Sequence, residues 1–382
     1  MERPMPALPV VELPGVPRED GLAHGRAAAE AIAENLRIYY DRFQREARLT
    51  PAQTRERARL YLALIDREAP AYGEAMRGVA EGAGIALHDV AVLNARYEIL
   101  YSQYSAINQT AARSLPAGGC TAFAVTPEAS ADGHLYLGQN WDWFPAVRGV
   151  VLRRRPADGA PAVVAFSEAG IVGGKIGLNA AGLGLVINGL LSSRDDWARL
   201  RTPFHVRTWR ILQSRDLCAA VRVVSDEPRA CSANFLIAQA GCGPGGARAE
   251  VVDVEAAPHA TCTLAPEEGL LVHANHFVEP EQLEVWQPLA EEKTTTYHRA
   301  ARLRALLADG ARRRTLDAAG LMAILRDHDG HPDSVCRHPN PRLPEEERVE
   351  SVVSVVEDLT AGRFYIAGGP PCATPFVEIP LP

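Results

Sequence analysis

Cys120 stands in "LPAGGCTAFAV" (Leu115–Val125), directly after two glycines, directly before Thr121, and at the head of an apolar run that alternates with period two. A cysteine is most often a small buried hydrophobe, and a plain buried strand position is the alternative reading here. Gly118 and Gly119 point elsewhere, because they tolerate the strained and positive-φ backbone that other residues resist. A thiol at such a peptide can attack its own preceding carbonyl. The resulting thioester is hydrolysed by water, and the chain beyond it then begins at Cys120. Its new α-amino group has an ordinary pKa of about 7.7–8.0, close to the thiol's value of about 8.5. That amine can serve as general base for the thiol beside it, so no histidine partner is required.

The elements that must hold this residue change character at the same point. After a short apolar strand around Pro9–Leu13, the first quarter reads as helical. Leu22, Ala29, Ile32, Leu36, Tyr39 and Phe43 recur at helical spacing, and Thr50 followed by Pro51 reads as an N-cap and first helical position. Further helices are predicted over 71–83 and 87–100, followed by the loose polar stretch "SAINQTAARSLPAGG". From Cys120 onward, period-two segments separated by Gly, Pro, Asp and Asn predict a series of strands, interrupted by helices at 204–224, 295–307 and 316–326. Strands in runs with segregated helices predict α+β layers, a sheet or sheet pair covered by helices. With no repeat and no low-complexity linker, the chain reads as one large domain with a helical N-terminal part at 1–119 and a core at 120–382.

Composition bounds the function. The 382 residues, 47% of them hydrophobic, can bury a substantial core without staples. The net charge of -7 is spread out with no basic stripe, which argues against a nucleic-acid partner. No secretory signal is read at the N-terminus and no apolar run has membrane-spanning length, so the expectation is a cytoplasmic protein without a membrane partner. The seven cysteines, odd in number and scattered without CxxC spacing, suit a reducing compartment.

Five motifs then carry a resemblance: "GGCTAFAV", "GQNWDW" (138–143), "GLNAAGLGLVINGL" (177–190), "LVHANHF" (271–277) and "DGHPDSVCR" (329–337). In this order and at about these spacings they resemble the isopenicillin-N acyltransferase family of cysteine N-terminal-nucleophile hydrolases, whose more distant relatives are choloylglycine and penicillin V hydrolases. The likeness runs over nearly the whole chain. It implies an αββα sandwich, autocatalytic cleavage between Gly119 and Cys120 into α and β fragments that stay together, and cleavage or transfer of an amide-linked acyl group. Cys120 would be the nucleophile, supported by Gly119 and Thr121. Asp142 would hold the new α-amino group. Asn275 would donate to the oxyanion, with Asn188 contributing through its backbone N–H. Arg348 would lie near the nucleophile, with Arg337 a lesser candidate. Gln139 stands where the bile-salt and penicillin V hydrolases carry an arginine, so that part of their substrate chemistry does not transfer.

Other readings remain beside this one. A solvated turn would account for Asp142, a strand-end turn for Asn275, a Gly-flanked turn for Asn188, and an exposed salt bridge in "PEEERVES" for Arg348. His328, His331, Cys336 and His338 crowd together with Asp327 and Asp329 as metal ligands can. Their HxxHxxxxCxH spacing fits no standard zinc pattern, so no metal is expected. "GCGPGGARAE" lacks the GK[ST] of a phosphate loop and reads as a hairpin, and no cofactor is expected. A binding protein with idle chemistry is the non-enzyme alternative. Within the enzyme reading the partner is a small amide or acyl substrate, and further homo-oligomerisation is open. Hydrolysis is favoured over acyl transfer, because water is always at hand and nothing resembles a cradle for coenzyme A phosphates.

Overall fold

The computed structural model describes residues 8–100, 119–241, 249–287 and 295–382. Gly118, the polar stretch before it and residues 242–248 of the glycine-rich segment lie outside the described residues.

Among the described residues, the helical first quarter is five helices and a further helical run. Strand β1 (Val10–Leu13) leads into α1 (Pro17–Ala27) and α2 (Ala29–Glu46), with Ala28 breaking what the periodicity reads as one helix. Helix α3 (Pro51–Glu68) starts as the sequence predicts: Thr50 caps it, and Gln53 closes a reciprocal capping box. Helix α4 (Pro70–Ala83) ends on Gly84, whose φ of 67° satisfies a left-handed C-cap. It packs closely on α1, where Gly21, Gly25, Gly78 and Gly82 let the two backbones touch. Helix α5 (Leu87–Asn94) is shorter than predicted, and a break at Ala95 precedes a second helical run at 96–100.

The remaining chain builds two sheets. Strands β2 (Gly119–Val125) and β3 (Tyr136–Trp143) pair in one. Strands β4 (Gly149–Arg154), β5 (Val163–Glu168), β6 (Ile176–Asn179) and β7 (Leu183–Gly189) run through the other. Helices α6 (Phe204–Leu212) and α7 (Leu217–Ser225) follow, two where the sequence reads as one because the chain turns at Gln213–Asp216 and Asp216 caps the second. Strands β8 (Ala233–Gln239), β9 (Glu250–Ala256), β10 (Thr261–Leu264) and β11 (Leu270–His273) precede α8 (Thr295–Arg313) and α9 (Ala318–Ile324). Strands β12 (Glu350–Asp358), β13 (Arg363–Ala367) and β14 (Val377–Pro380) close the chain. The eight-stranded sheet runs β1-β4-β5-β6-β7-β8-β9-β10 and the six-stranded sheet β11-β2-β3-β12-β13-β14. All pairings are antiparallel except β1 with β4.

Alternation along β2 shows the layering. Ala122 and Ala124 belong to the large core shared by the two sheets, whereas Phe123 and Val125 join Leu303, Leu307, Leu316 and Leu321 beneath α8 and α9. Helices α6 and α7 lie on β6–β9, so the predicted helix–sheet–sheet–helix sandwich is the observed architecture. Gln139 stitches the sheets together: its Nε2 donates to the Ile187 carbonyl and its Oε1 accepts from the Ile187 N–H at 3.0 Å. Among the described residues no helix is long and apolar enough to cross a membrane.

Candidate active site

Cys120 is the second residue of β2, buried at 4% exposure, and its side chain faces the space between the sheets. Gly119 is also in the strand, and it is absent from the residues with positive φ. The glycine is needed for a different reason than backbone freedom: a Cβ here would come within 2.7 Å of Arg337 Nη1, 2.8 Å of Asp142 Oδ2 and 3.2 Å of Arg299 Nη2. Side-chain groups crowd the Gly119–Cys120 peptide itself.

Register places most of them. In the β2–β3 ladder Gly119 faces Asp142 and Cys120 faces Trp141, and in the β3–β12 ladder Asp142 faces Ser351. Ser351 donates to Asp142 Oδ1 at 2.7 Å, while Asp142 Oδ2 is fully buried and has no hydrogen-bond partner among the described residues. Burial raises the Asp142 carboxyl to about 6, with Arg299 and Arg337 opposing the shift. Arg337 is held against Asp333, whose Oδ1 accepts from its Nε at 3.0 Å.

Asn275 closes the other side. Its Oδ1 accepts from the Cys120 N–H at 2.6 Å, and its Nδ2 donates to the Gly189 carbonyl at 3.0 Å. The loop bearing it is fixed by Thr296, whose Oγ1 accepts from the Asn275 N–H, and by the buried Glu255, which accepts from the Val278 and Glu279 N–H groups and from His273. Burial opposes charge on His273, but Asp253 and Glu255 outweigh it and raise its pKa.

Arg299, which sequence reasoning missed, ties these parts together. From the first turns of α8 it donates to the Cys120 carbonyl at 2.7 Å, to Thr121 Oγ1 at 2.6 Å and to Asn275 Oδ1 at 2.9 Å. A signal was present: Arg299, Leu303 and Leu307 lie on one helical stripe, so a charge sits on a buried face.

A second missed group lies behind the thiol. Arg96 and Lys175 share the buried Glu168, which also accepts from Tyr39, and the Lys175 ammonium sits 3.3 Å from the centre of the Trp141 ring. Burial would raise Glu168, but the two cations hold it well below the usual carboxylate range. Burial lowers Lys175 to about 8 against the pull of Glu168. For Cys120, burial pushes the thiol up to about 11 and Asp142 adds to this, while Arg299 and the Gly189 N–H work the other way. The cavity at the thiol is lined by Tyr97, Trp141, Trp143, Ile187 and Phe204 together with Arg96, Lys175 and Asn275. Its volume of about 20 Å³ is room for one water.

Two of the expected residues stand differently from the rest. Arg348 does not join this group among the described residues. It caps a 3-10 turn (Glu345–Glu347), donates to the Leu343 and Pro341 carbonyls, and lines a separate surface groove with Arg37, Arg42 and Phe144. The acidic loop before β12 satisfies its own backbone with that guanidinium, and Arg299 and Arg337 stand at the peptide instead. Gly189, the residue after Asn188, lines the cavity at the thiol, and the Asn188 side chain is engaged between His273 and Asn234. Cys120, Asp142, Asn275, Thr121 and Arg337 do come together, and Gln139 supports them by joining β3 to β7.

Residues 129–369 match the model of the acyl-coenzyme A:6-aminopenicillanic acid acyl-transferase family. The acyl-coenzyme A:6-aminopenicillanic-acid-acyltransferase 40 kDa form of Emericella nidulans is 27% identical over 332 residues, covering 85% of this chain and 83% of that protein. Among solved structures, a mutant conjugated bile acid hydrolase from Clostridium perfringens superposes with a TM-score of 0.44 at 12% identity, over 68% of this chain and 92% of that one. Penicillin V acylase from Agrobacterium tumefaciens superposes with a TM-score of 0.40 at 14% identity, over 65% of this chain and 83% of that one.

Proposed function

The chain belongs to the acyl-coenzyme A:6-aminopenicillanic acid acyl-transferase family, and from that premise we propose that it is a self-processing enzyme that cleaves an N-acyl or peptide-like amide through a thioester on Cys120. One observation carries the reading: a buried carboxylate oxygen, Asp142 Oδ2, lacks a hydrogen-bond partner among the described residues and is close enough to Gly119 to exclude a methyl group. An unsatisfied buried acceptor is costly, and an ammonium released at Cys120 is a group that would satisfy it.

Processing begins with attack of the Cys120 Sγ on the Gly119 carbonyl. The C–N bond breaks as the C–S bond forms, and the thiol proton passes to the leaving nitrogen. Water then adds to the thioester, its hydroxyl staying on Gly119 and its proton returning to sulfur. The two fragments, Met1–Gly119 and Cys120–Pro382, stay together because β1 of the first pairs with β4 of the second and the N-terminal helices share the large hydrophobic core with both sheets. In turnover the new α-amino group takes the thiol proton and the thiolate attacks the substrate carbonyl. The developing oxyanion meets the Asn275 amide and the Gly189 N–H, preorganised donors of the kind worth about 3–4 kcal/mol each. The amine leaves with the proton, and an acceptor resolves the thioester.

Water is the acceptor favoured here. Family membership favours the second reading, transfer to an amine, and the two differ only in that last step. The test is to mix purified protein with a panel of N-acyl amides, with and without an amine acceptor. A mass increase of one acyl group on Cys120, absent in Cys120→Ala, is expected. Free acid as the sole product supports hydrolysis, a new amide supports transfer, and turnover without any adduct at Cys120 overturns the proposal.

A further inference from the structure

Four metal-ligating side chains that the proposed chemistry does not use converge on the loop after α9. His328, Cys336, His338 and Cys372 place one donor atom each within 4.8 Å of all the others. His338 Nε2 lies 3.1 Å from His328 Nε2, 3.6 Å from Cys336 Sγ and 3.4 Å from Cys372 Sγ. A tetrahedral zinc ion, with bonds of about 2.3 Å to sulfur and about 2.0–2.1 Å to nitrogen, holds its ligand atoms about 3.3–3.8 Å apart. We propose that these two cysteines and two histidines bind a structural zinc ion.

The donor set favours this ion over others. Two thiols and two imidazoles are borderline-soft ligands that suit zinc, whereas calcium and magnesium require oxygen. Four protein donors also close the coordination sphere, the mark of a structural site. The spacing hid the site, because its fourth ligand comes from beyond β13. His331, which the sequence grouped with the others, is outside the set although its ring centre is 5.3 Å from that of His338.

The position gives the ion a task. Arg337 lies between two of the ligands, its backbone exchanges hydrogen bonds with Ser351, and Ser351 in turn donates to Asp142. Cys336 is further tied by its N–H to the Asp327 carbonyl. An ion joining this loop to Cys372 clamps the segment that carries Arg337 to the C-terminal residues packed beside it. Metal would thus hold an arginine in place near the Gly119–Cys120 peptide without touching the reacting atoms.

The test uses full-length protein purified without chelator and without a metal-affinity tag. Elemental analysis is expected to give one zinc per chain, and cobalt added to chelator-stripped protein is expected to give the visible bands of a tetrahedral thiolate site. His328→Ala and Cys372→Ser should each lower zinc at least tenfold, while His331→Ala keeps it. Zinc well below stoichiometry together with no cobalt bands would overturn the proposal. So would a Cys336–Cys372 disulfide in the native protein, or full zinc retention in Cys372→Ser. Because the readout is metal content, it is independent of whether Cys120 is released or acylated.

Discussion

At the scale of single residues, the burial of Asp142 sets a pH dependence. Its carboxyl, raised by burial to about 6, must be ionised to hold the nitrogen that leaves as an ammonium when the thioester forms, so processing is expected to slow as pH falls through about 6. A pH–rate profile of precursor cleavage checks this, and Asp142→Asn should lose both that limb and most of the rate. Stability runs the opposite way: the folded chain binds a proton that the unfolded chain releases between about pH 4 and 6, so this group's contribution is lost as pH rises through that window. Gly119→Ala should slow cleavage by forcing Arg337 and Asp142 from the peptide, and time courses of fragment appearance would measure it. Asn275→Ala should fold and lose about 10²–10³ in turnover, and a near wild-type rate would remove it from the oxyanion role. Cys120, Asp142 and Asn275 were legible because each lies in a local motif. Arg299 left only the signal of a charge on an apolar helical stripe, because what it serves lies on strand β2, 179 residues away in sequence. For Arg348, counting back from β12 fixes a position along the chain and not a side-chain direction, and its guanidinium turns to carbonyls of its own loop.

At the scale of elements, period and capping were readable where local chemistry decides them. Thr50 capped α3 as predicted, and Thr50→Ala is expected to cost about 1 kcal/mol in denaturant unfolding. The breaks at Ala28, Ala95 and Gln213–Asp216 went unread because the apolar periodicity runs on across them, although Asp216 carries a local N-cap signal. Helix α8 shows how an element serves the site. Its fully buried Leu303 and Leu307 pin it under β2, which aims Arg299 at the Cys120 carbonyl. Leu303→Ala, made in an uncut Cys120→Ala background, should destabilise by about 2–5 kcal/mol.

At the scale of the whole molecule, the α+β class followed from the change from helical to strand periodicity and the αββα layer order from the family resemblance, but the strand order followed from neither. β2 pairs with β11, about 150 residues on, and β3 pairs with β12, more than 200 on. Those long-range ladders assemble the site: β11 brings the Asn275 loop, β12 brings Ser351, and β7 brings Gly189. The result is a small pocket beside the Gly119–Cys120 peptide, with room for one water. The most direct measurement is intact-mass analysis of the purified active protein under denaturing conditions, with N-terminal sequencing. Two species are expected, Met1–Gly119 and a fragment beginning at Cys120, that co-elute as one particle before denaturation, with a single full-length species for Cys120→Ala. Full activity in a chain that remains uncut between Gly119 and Cys120 would contradict this expectation.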